Sequence, residues 1–282
     1  MMTNIYIVFL SVLCLIGFQN QGHAQVDRVL TYNIKYDNPK DSVNNWTNRK
    51  EEVIQLIKHY EPQIFGIQEG LLHQLQDLDS GLPNYARIGV GRDDGIEKGE
   101  FSAIYYRGDE FIVESESTFW LSETSDIVSM GWDASYKRVC TYGLFKNKLT
   151  DQKFLVFNVH YDHKGKIARA KSSELILDKI KKINTHNYPV ILMGDFNAQE
   201  DDLPIRTITQ DLDDGSKLCT NGIYGPTGTF TGFVPNAVPD RRIDFIFVKD
   251  FEVTKYSHID DKKRDNNYLS DHLPVLIEFK NR

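Results

Sequence analysis

The 282-residue chain has 40% hydrophobic residues, 26% charged residues and a formal net charge of -7. This composition is typical of a globular protein with a sizeable core, and it excludes extensive disorder. An acidic protein lacks the broad basic face with which most nucleic-acid binders hold phosphates, so either a metal ion provides positive charge or the substrate is small. The length is compatible with one α/β domain.

The first predicted element is an apolar run from Ile5 to Phe18. It is short for a bilayer span and fits the core of a secretory signal peptide, with Gly22 and Ala24 at the spacing that signal peptidase prefers. Because no Lys or Arg precedes the run, an uncleaved anchor is the alternative. We expect a signal peptide over residues 1–24, one domain over residues 25–282, export to the periplasm or the outside, and a mature form without a stable membrane span.

Strands and helices then alternate along the chain. Period-two or continuous apolar patterns predict strands, and apolar residues at helical spacing predict helices. Strands are predicted over residues 26–34, 62–69, 101–107, 111–121, 138–147, 153–161, 188–197, 242–253 and 273–280, and helices over residues 48–60, 71–82 and 167–183. The loops over residues 221–240 and 260–272 are longer than compact domains usually need, which favours a role in lining a site.

Two cysteines, Cys140 and Cys219, follow the predicted cleavage point. They could form a disulfide in an oxidising compartment, although two cysteines are too few for a disulfide scaffold. Two buried thiols are the equal alternative.

Polar residues recur where the predicted apolar strands begin or end. Each alone is most often a turn former, but together they converge on one cleft if those strand ends are adjacent. Carboxylates, amides and imidazoles without cysteine are the donors of a hydrolytic site with a hard cation. These residues are Asn33, Glu69, His160, Asp195, Asn197, Asp244, Asp271 and His272.

Six motifs in chain order, TYNI, IQE, NVH, GDFN, RIDFIFV and SDHLPV, resemble the endonuclease/exonuclease/phosphatase superfamily, which is DNase I-like. GDFN followed far downstream by SDH is the strongest signature. The wider pattern is similar to a secreted bacterial branch related to CCR4-type nucleases and DNase I. The resemblance implies an α/β (α+β) fold, a four-layer α/β sandwich in which two packed mixed β-sheets are flanked by helices and form one catalytic domain.

The resemblance also implies a metal site. Glu69 matches the principal Mg2+ ligand of the family, with Asn33 and Asp271 beside it as further metal-site residues. Mn2+ is the alternative ion. The chemistry agrees, since Mg2+ takes one or two carboxylates, keeps several waters and lets phosphate complete its shell.

The implied reaction is in-line attack by water on a phosphoester. Asp195 matches the residue that positions or deprotonates the water, and Asn197 matches a donor to the phosphoryl oxygen. His272 matches the histidine at the scissile phosphate. The remaining catalytic matches are Asp244, which orients and charges His272, and the second histidine, His160, with its partner Glu100.

The substrate is less specified. Arg138 is the candidate phosphate clamp, and Asp162 and His163 are candidates for substrate selection. Phosphodiesters of single-stranded nucleic acid or nucleotides are the first expectation, and phosphomonoesters, inositol phosphates or phospholipid headgroups are the alternative. Loop aromatics could stack on bases or anchor the loops. They are Trp132, Tyr136, Tyr224, Phe230 and Phe233. A monomer is expected.

Two rival interpretations carry less weight. NVHYDH resembles the zinc motif of metallo-β-lactamase-like enzymes, but Asn158 replaces its first histidine, and His186 and His258 lack a matching context. A non-catalytic binding module that kept the fold would be expected to have lost part of the catalytic set, and every motif residue is present.

Overall fold

The computed structural model describes residues 27–220, 222–236 and 238–281, so the predicted signal peptide lies outside the described residues. The helices are α1 (Lys50–Tyr60), α2 (Leu72–Gly81), α3 (Lys166–Ile183), α4 (Leu203–Ile208) and α5 (Gly215–Leu218), with short 3-10 helices at Pro39–Asn44 and Trp46–Asn48. The strands are β1 (Asp27–Asn33), β2 (Ile64–Gln68), β3 (Tyr85–Ile88), β4 (Ile104–Arg107), β5 (Phe111–Trp120), β6 (Val139–Asn147), β7 (Lys153–His160), β8 (Val190–Asp195), β9 (Asp213–Asp214), β10 (Ile223–Tyr224), β11 (Asp244–Lys249), β12 (Phe251–His258) and β13 (Val275–Asn281).

The strands form two mixed sheets. The first has the order β10-β12-β13-β1-β2-β4-β3, and the second has the order β5-β6-β7-β8-β11-β9. β1 and β2 are parallel, as are β7 and β8, whereas β13 and β11 run antiparallel to their neighbours β1 and β8. In each sheet, therefore, the edge at which two central strands end is also the edge at which a late strand begins.

Successive side chains of a strand point to opposite faces of its sheet, so each sheet packs against the other sheet on one face and against helices on the other. In β1, Val29 packs between the two sheets and Leu30 packs outward against α1 and α2. In β8, Ile191 faces the first sheet and Leu192 faces α3 and α4. Full burial of each such aliphatic side chain contributes about 1.5–3 kcal/mol. The result is helix on sheet on sheet on helix, which confirms the predicted four-layer sandwich.

The structure corrects one predicted strand and adds others. Residues 242–253, predicted as one strand, divide at Asp250, where a φ of +63° turns the chain so that β11 joins the second sheet and β12 joins the first. β3 was not predicted because only Ile88 of its four residues is buried, which leaves a weak apolar pattern.

Asn158 links the two sheets beneath the strand ends. Its side-chain nitrogen donates to the carbonyls of Ile67 and Ala103, and its oxygen accepts from Gln68 at 2.6 Å. The side chain is fully buried, so these bonds satisfy groups that would be costly to leave unpaired. Asn158 is thus a structural cross-link, which accounts for an amide at the position where a zinc motif would need histidine.

The two cysteines are separate in the structure. Cys140 and Cys219 are free, buried thiols, the second of the two sequence alternatives. Among the described residues, no helix combines the length and apolar character needed to cross a bilayer.

Candidate active site

A cavity of about 630 Å3 lies at the edge of the sandwich where β1, β2, β7 and β8 end. Loops from both sheets line it, because each pair of parallel strands ends there and β11 and β13 begin there. It brings together nine of the residues predicted from sequence: Glu69, Glu100, Arg138, His160, His163, Asp195, Asn197, Asp271 and His272.

Three predicted residues lie behind the cavity wall. Asn33, Asp162 and Asp244 are each at most 2% exposed and contact the lining through hydrogen bonds. The sequence analysis assigned no role to five further lining residues: Lys35, Tyr36, Arg92, Arg241 and Ile243. Lys35 directly follows the TYNI motif, and that position was the available signal for it, whereas Arg92 lies outside the six motifs.

The buried His272 ring lies between two buried carboxylates, those of Asp195 and Asp244. His272 Nδ1 lies 2.8 Å from Asp244 Oδ2, and His272 Nε2 lies 3.7 Å from Asp195 Oδ2. Thr229 donates to the same Asp244 oxygen at 2.6 Å. Burial alone would lower the pKa of His272, but the charges of Asp244 and then Asp195 raise this pKa to about 10. His272 is therefore an imidazolium at neutral pH.

Asp195 is held by two amides. Asn33 Nδ2 donates to Asp195 Oδ2 at 3.0 Å, and the backbone N–H of Asn197 donates to Asp195 Oδ1 at 2.8 Å. Asn197 has a φ of +46°, a left-handed conformation that asparagine tolerates well. Burial raises the pKa of the Asp195 carboxyl to about 7. The positive charge of His272 lowers this pKa, and the negative charge of Asp244 raises it, but burial has the largest effect. Asp195 is thus tuned toward a proton acceptor near neutral pH.

Lys35 bridges the two predicted metal carboxylates. Its Nζ lies 3.5 Å from Glu69 Oε2 and 3.4 Å from Asp271 Oδ2. Glu69 also accepts from Asn33 Nδ2 at 3.1 Å and from the backbone N–H of Tyr36 at 3.1 Å. Burial raises the pKa of Glu69, but the charge of Lys35 and the bond from Asn33 outweigh it, and the net pKa is lowered. Two carboxylates therefore face one cation here.

Two groups of donors could hold a metal ion. One ligand atom each from Asp195, Asp244 and His272 lie within 4.8 Å of one another. In that group, however, His272 Nδ1 and Thr229 already occupy Asp244 Oδ2. Glu69 and Asp271 line the cavity and meet a positive charge there, which is the donor chemistry that a hard divalent cation needs. Asn33 directs its amide nitrogen toward Glu69, and its oxygen accepts the N–H of Lys35.

His160 lies between two carboxylates and is also near two arginines. Its Nε2 lies 3.4 Å from Asp195 Oδ2, and its Nδ1 lies 3.7 Å from Glu100 Oε2. Glu100 bonds more closely to Arg92, at 2.6 Å. Burial, followed by the charges of Arg138 and Arg92, holds the pKa of His160 well below its usual value. His160 is therefore a neutral imidazole, in contrast to His272.

Asp162 fixes the loop after β7. Its two oxygens accept backbone N–H groups from Ser135, Tyr136, Lys164 and Gly165 at 2.7 to 3.3 Å. Arg138 Nε lies 3.5 Å from Asp162 and Arg138 Nη2 lies 3.2 Å from His163 Nδ1. Of the two residues predicted to select substrate, His163 thus faces the cavity, whereas Asp162 holds the backbone and the arginine behind it.

Arg49 joins the loop after β1 to the loop before β13. Its fully buried guanidinium donates to the carbonyls of Asn44, Ile34, Lys35 and Leu269 at 2.6 to 3.2 Å. Sequence reasoning missed this residue, since a single arginine before a helix carries no signal of buried contacts.

Comparison with known proteins decides the family. The model of the Endonuclease/Exonuclease/phosphatase family matches residues 30–272, a range that contains all twelve predicted site residues. The chain belongs to this family. Members of the endonuclease/exonuclease/phosphatase family hydrolyse phosphoester bonds, and the resemblance inferred from the six motifs is confirmed.

Two solved structures are similar to this chain over most of its length. An endonuclease/exonuclease/phosphatase family protein from Bacteroides thetaiotaomicron is 40% identical, with a TM-score of 0.88 over 92% of this chain and 99% of that one. A mannosyl-6-phosphatase from the same species is 41% identical, with a TM-score of 0.86 over 90% and 99% of the two chains. An uncharacterised protein of Acanthamoeba polyphaga mimivirus is 31% identical over 85% of this chain and 94% of that one.

Proposed function

We propose that the protein is a metal-dependent phosphomonoesterase that removes the phosphate of a sugar phosphate by in-line attack of water. The observation that carries this proposal is that Lys35, Arg241 and protonated His272 line one cavity of an acidic protein and can face a phosphate there. A terminal phosphate carries more negative charge than a diester and gains more from such a cluster. The 41% identity to a mannosyl-6-phosphatase supports the same class.

We propose Mg2+ as the cofactor, with Mn2+ as the alternative, held by Glu69 and Asp271. Two carboxylates within 3.5 Å of one positive charge suit either ion. Asn33 would orient Glu69 through its amide nitrogen. When bound, the ion supplies positive charge to the phosphoryl oxygens.

The remaining catalytic roles are assigned to side chains of the protein. Asp195 accepts the proton of the attacking water, and Asn33 and Asn197 fix its carboxylate for that role. His272, which the negative charge of Asp244 keeps protonated, donates a hydrogen bond to a phosphoryl oxygen as negative charge develops on the phosphate. Neutral His160 contacts the ester oxygen of the leaving group, with Glu100 behind it, and the departing oxygen takes its proton from solvent water as the P–O bond breaks.

A substrate panel tests the function. Purified protein with Mg2+ or Mn2+ is expected to release inorganic phosphate from hexose 6-phosphates and p-nitrophenyl phosphate faster than it cleaves bis-p-nitrophenyl phosphate or single-stranded DNA. Chelation with EDTA should abolish the release, and added metal should restore it. Preference for the diesters would instead support the specificity expected from the sequence. Absence of turnover with every substrate would support a binding module.

The expected pH dependence of the rate follows from the raised pKa values of the Asp195 carboxyl and the His272 imidazole. The rate should rise with pH as Asp195 loses its proton, around pH 7 rather than near 4, because the folded site raises that pKa. It should fall again around pH 10 as His272 loses its proton. Initial rates with p-nitrophenyl phosphate, buffered from pH 5 to 11, measure both limbs. A rate that is flat from pH 5 to 8 would contradict Asp195 as the base.

Lys35 gives a test of the metal position that does not depend on turnover. In Lys35→Met, Glu69 and Asp271 face each other without their bridging ammonium, so a divalent cation should bind more tightly. The rise in melting temperature on adding Mg2+ or Mn2+ should therefore be larger than in wild type. Lys171→Met, at an exposed lysine paired with Glu174, is the matched control. An unchanged or smaller rise would place the ion elsewhere.

We further propose that the mature protein is an exported monomer. The support is the apolar run over residues 5–18, followed by small residues at signal-peptidase spacing. Cell fractionation with N-terminal sequencing should find the chain outside the cytoplasm beginning at Gln25, and light scattering should give one chain per particle. An N-terminus that begins at Met1 would refute the cleavage.

A further inference from the structure

One wall of the cavity is not used by the hydrolytic groups. This wall, called here the arginine wall, consists of Arg92, Tyr136, Arg138 and His163. The four residues come from the loop after β3, the loop between β5 and β6, and the loop after β7. They meet beside His160, which is the side assigned to the ester oxygen.

Both arginines of the wall are buried and incompletely bonded. Arg92 is 8% exposed and Arg138 is 5% exposed. Among the described residues, Arg92 Nε and Arg138 Nη1 are inaccessible to solvent and have no hydrogen-bond partner. Both residues line the cavity, and neither guanidinium has all of its N–H groups satisfied within the protein.

The charge of the wall selects the kind of acceptor. Arg92 is paired with Glu100 at 2.6 Å, and Arg138 lies 3.5 Å from Asp162. Each guanidinium thus has its own carboxylate, and Glu100 itself lines the cavity. A second anionic group on the ligand would meet the negative charge of Glu100. Neutral hydroxyl groups accept and donate hydrogen bonds without that repulsion.

Tyr136 and His163 give the arginine wall a planar aromatic surface. Tyr136 and His163 stack with centroids 5.8 Å apart and an interplanar angle of 20°. Both guanidinium carbons lie near the Tyr136 ring, at 5.3 Å for Arg92 and 6.0 Å for Arg138. Tyr136 is nevertheless 52% exposed, so part of it remains open to a ligand. Flat aromatic surface beside hydrogen-bond donors matches a ring that carries both C–H and O–H groups.

We propose that the arginine wall binds the leaving group, and that this group is a neutral, polyhydroxylated ring. The inference rests on the proposed function and deepens it, since it assigns the specificity for the alcohol half of the ester to four residues. The cavity of about 630 Å3 lies in the size range of pockets that enclose a whole small-molecule ligand. Arg138, which the sequence predicted as a phosphate clamp, acts here on the alcohol half.

The test compares two esters that present the same phosphate. Mannose 6-phosphate offers ring hydroxyls, whereas p-nitrophenyl phosphate offers none at that position. Tyr136→Ala and His163→Ala should lower kcat/KM for mannose 6-phosphate about tenfold more than for p-nitrophenyl phosphate, through KM rather than kcat. Free mannose should also inhibit wild type competitively, and inhibit both variants less.

Tyr224→Ala is the matched control, because Tyr224 is an exposed tyrosine outside the cavity. It should keep the wild-type ratio of the two kcat/KM values. Equal losses on both esters would overturn the inference and return the wall to the phosphate. Failure of wild type to hydrolyse any phosphomonoester would refute the proposed function instead. In that case competition by mannose against the diester that is cleaved still decides the subsite, and absence of competition refutes it.

Discussion

Asp195→Ala should lower kcat for the preferred phosphoester by about 1,000-fold or more, because it removes the proton acceptor of the attacking water. The carboxylate is 1% exposed and lies within 3.7 Å of both His160 and His272, whereas, of these two rings, Glu100 pairs with His160 alone and Asp244 with His272 alone. Circular dichroism and thermal unfolding should show a folded protein, since burial raises the pKa of this carboxyl and makes its charge costly in the native state.

His272→Ala should cause a loss of similar size by a different route. It removes the imidazolium that faces the phosphoryl group and leaves the buried Asp244 without its charged partner. In the double variant the two losses should be far from additive, because both residues act on one transition state. Asp201→Ala, at an exposed acidic residue, is the control for each single variant. Rates near wild type in Asp195→Ala or His272→Ala would refute the assigned mechanism.

Arg49→Lys should lower the free energy of unfolding by about 3 kcal/mol or more, because one ammonium cannot replace a guanidinium that bonds four carbonyls. Arg49 ties the segment of Asn33 and Lys35 to the segment of Asp271 and His272. At a temperature where the variant is still folded, kcat should fall while KM for p-nitrophenyl phosphate changes little, since misplacement weakens the transition state more than substrate binding.

Urea unfolding and steady-state kinetics measure the two effects of Arg49→Lys. Arg206→Lys, at an exposed arginine of α4, should change neither quantity by a measurable amount. A stable Arg49→Lys variant with wild-type kcat would show that the two loops are positioned by other contacts, such as the 2.6 Å bond from Ser270 Oγ to the carbonyl of Asn33.

The architecture was predictable because two independent signals agreed. Strand periodicity placed Asn33, His160 and Asp195 at strand ends, and the motif order supplied the topology that brings those ends together. The division at Asp250 was not predictable, since residues on both sides of it are continuously β-forming and only a single left-handed residue separates the sheets.

The sequence predicted which residues form the site better than it predicted which atoms each residue bonds. The sequence analysis placed Asn33 and Asp162 among the functional residues, but it could not show that Asn33 presents its nitrogen to Glu69 or that Asp162 accepts bonds from backbone N–H groups. Glu100 lies closer to Arg92 than to His160, and this choice of partner depends on packing between distant loops. The roles assigned to the individual site residues remain predictions that the variants above test.

The pairing of β1 with β13 has a consequence for how the site comes into being. The first described strand has β13 as one neighbour, so the centre of the first sheet closes only when β13 has docked. Asn33 lies at the end of β1, whereas Asp271 and His272 lie directly before β13, so the two halves of the site meet only through this pairing. Such closure between segments far apart in sequence makes folding slow relative to a protein with local contacts.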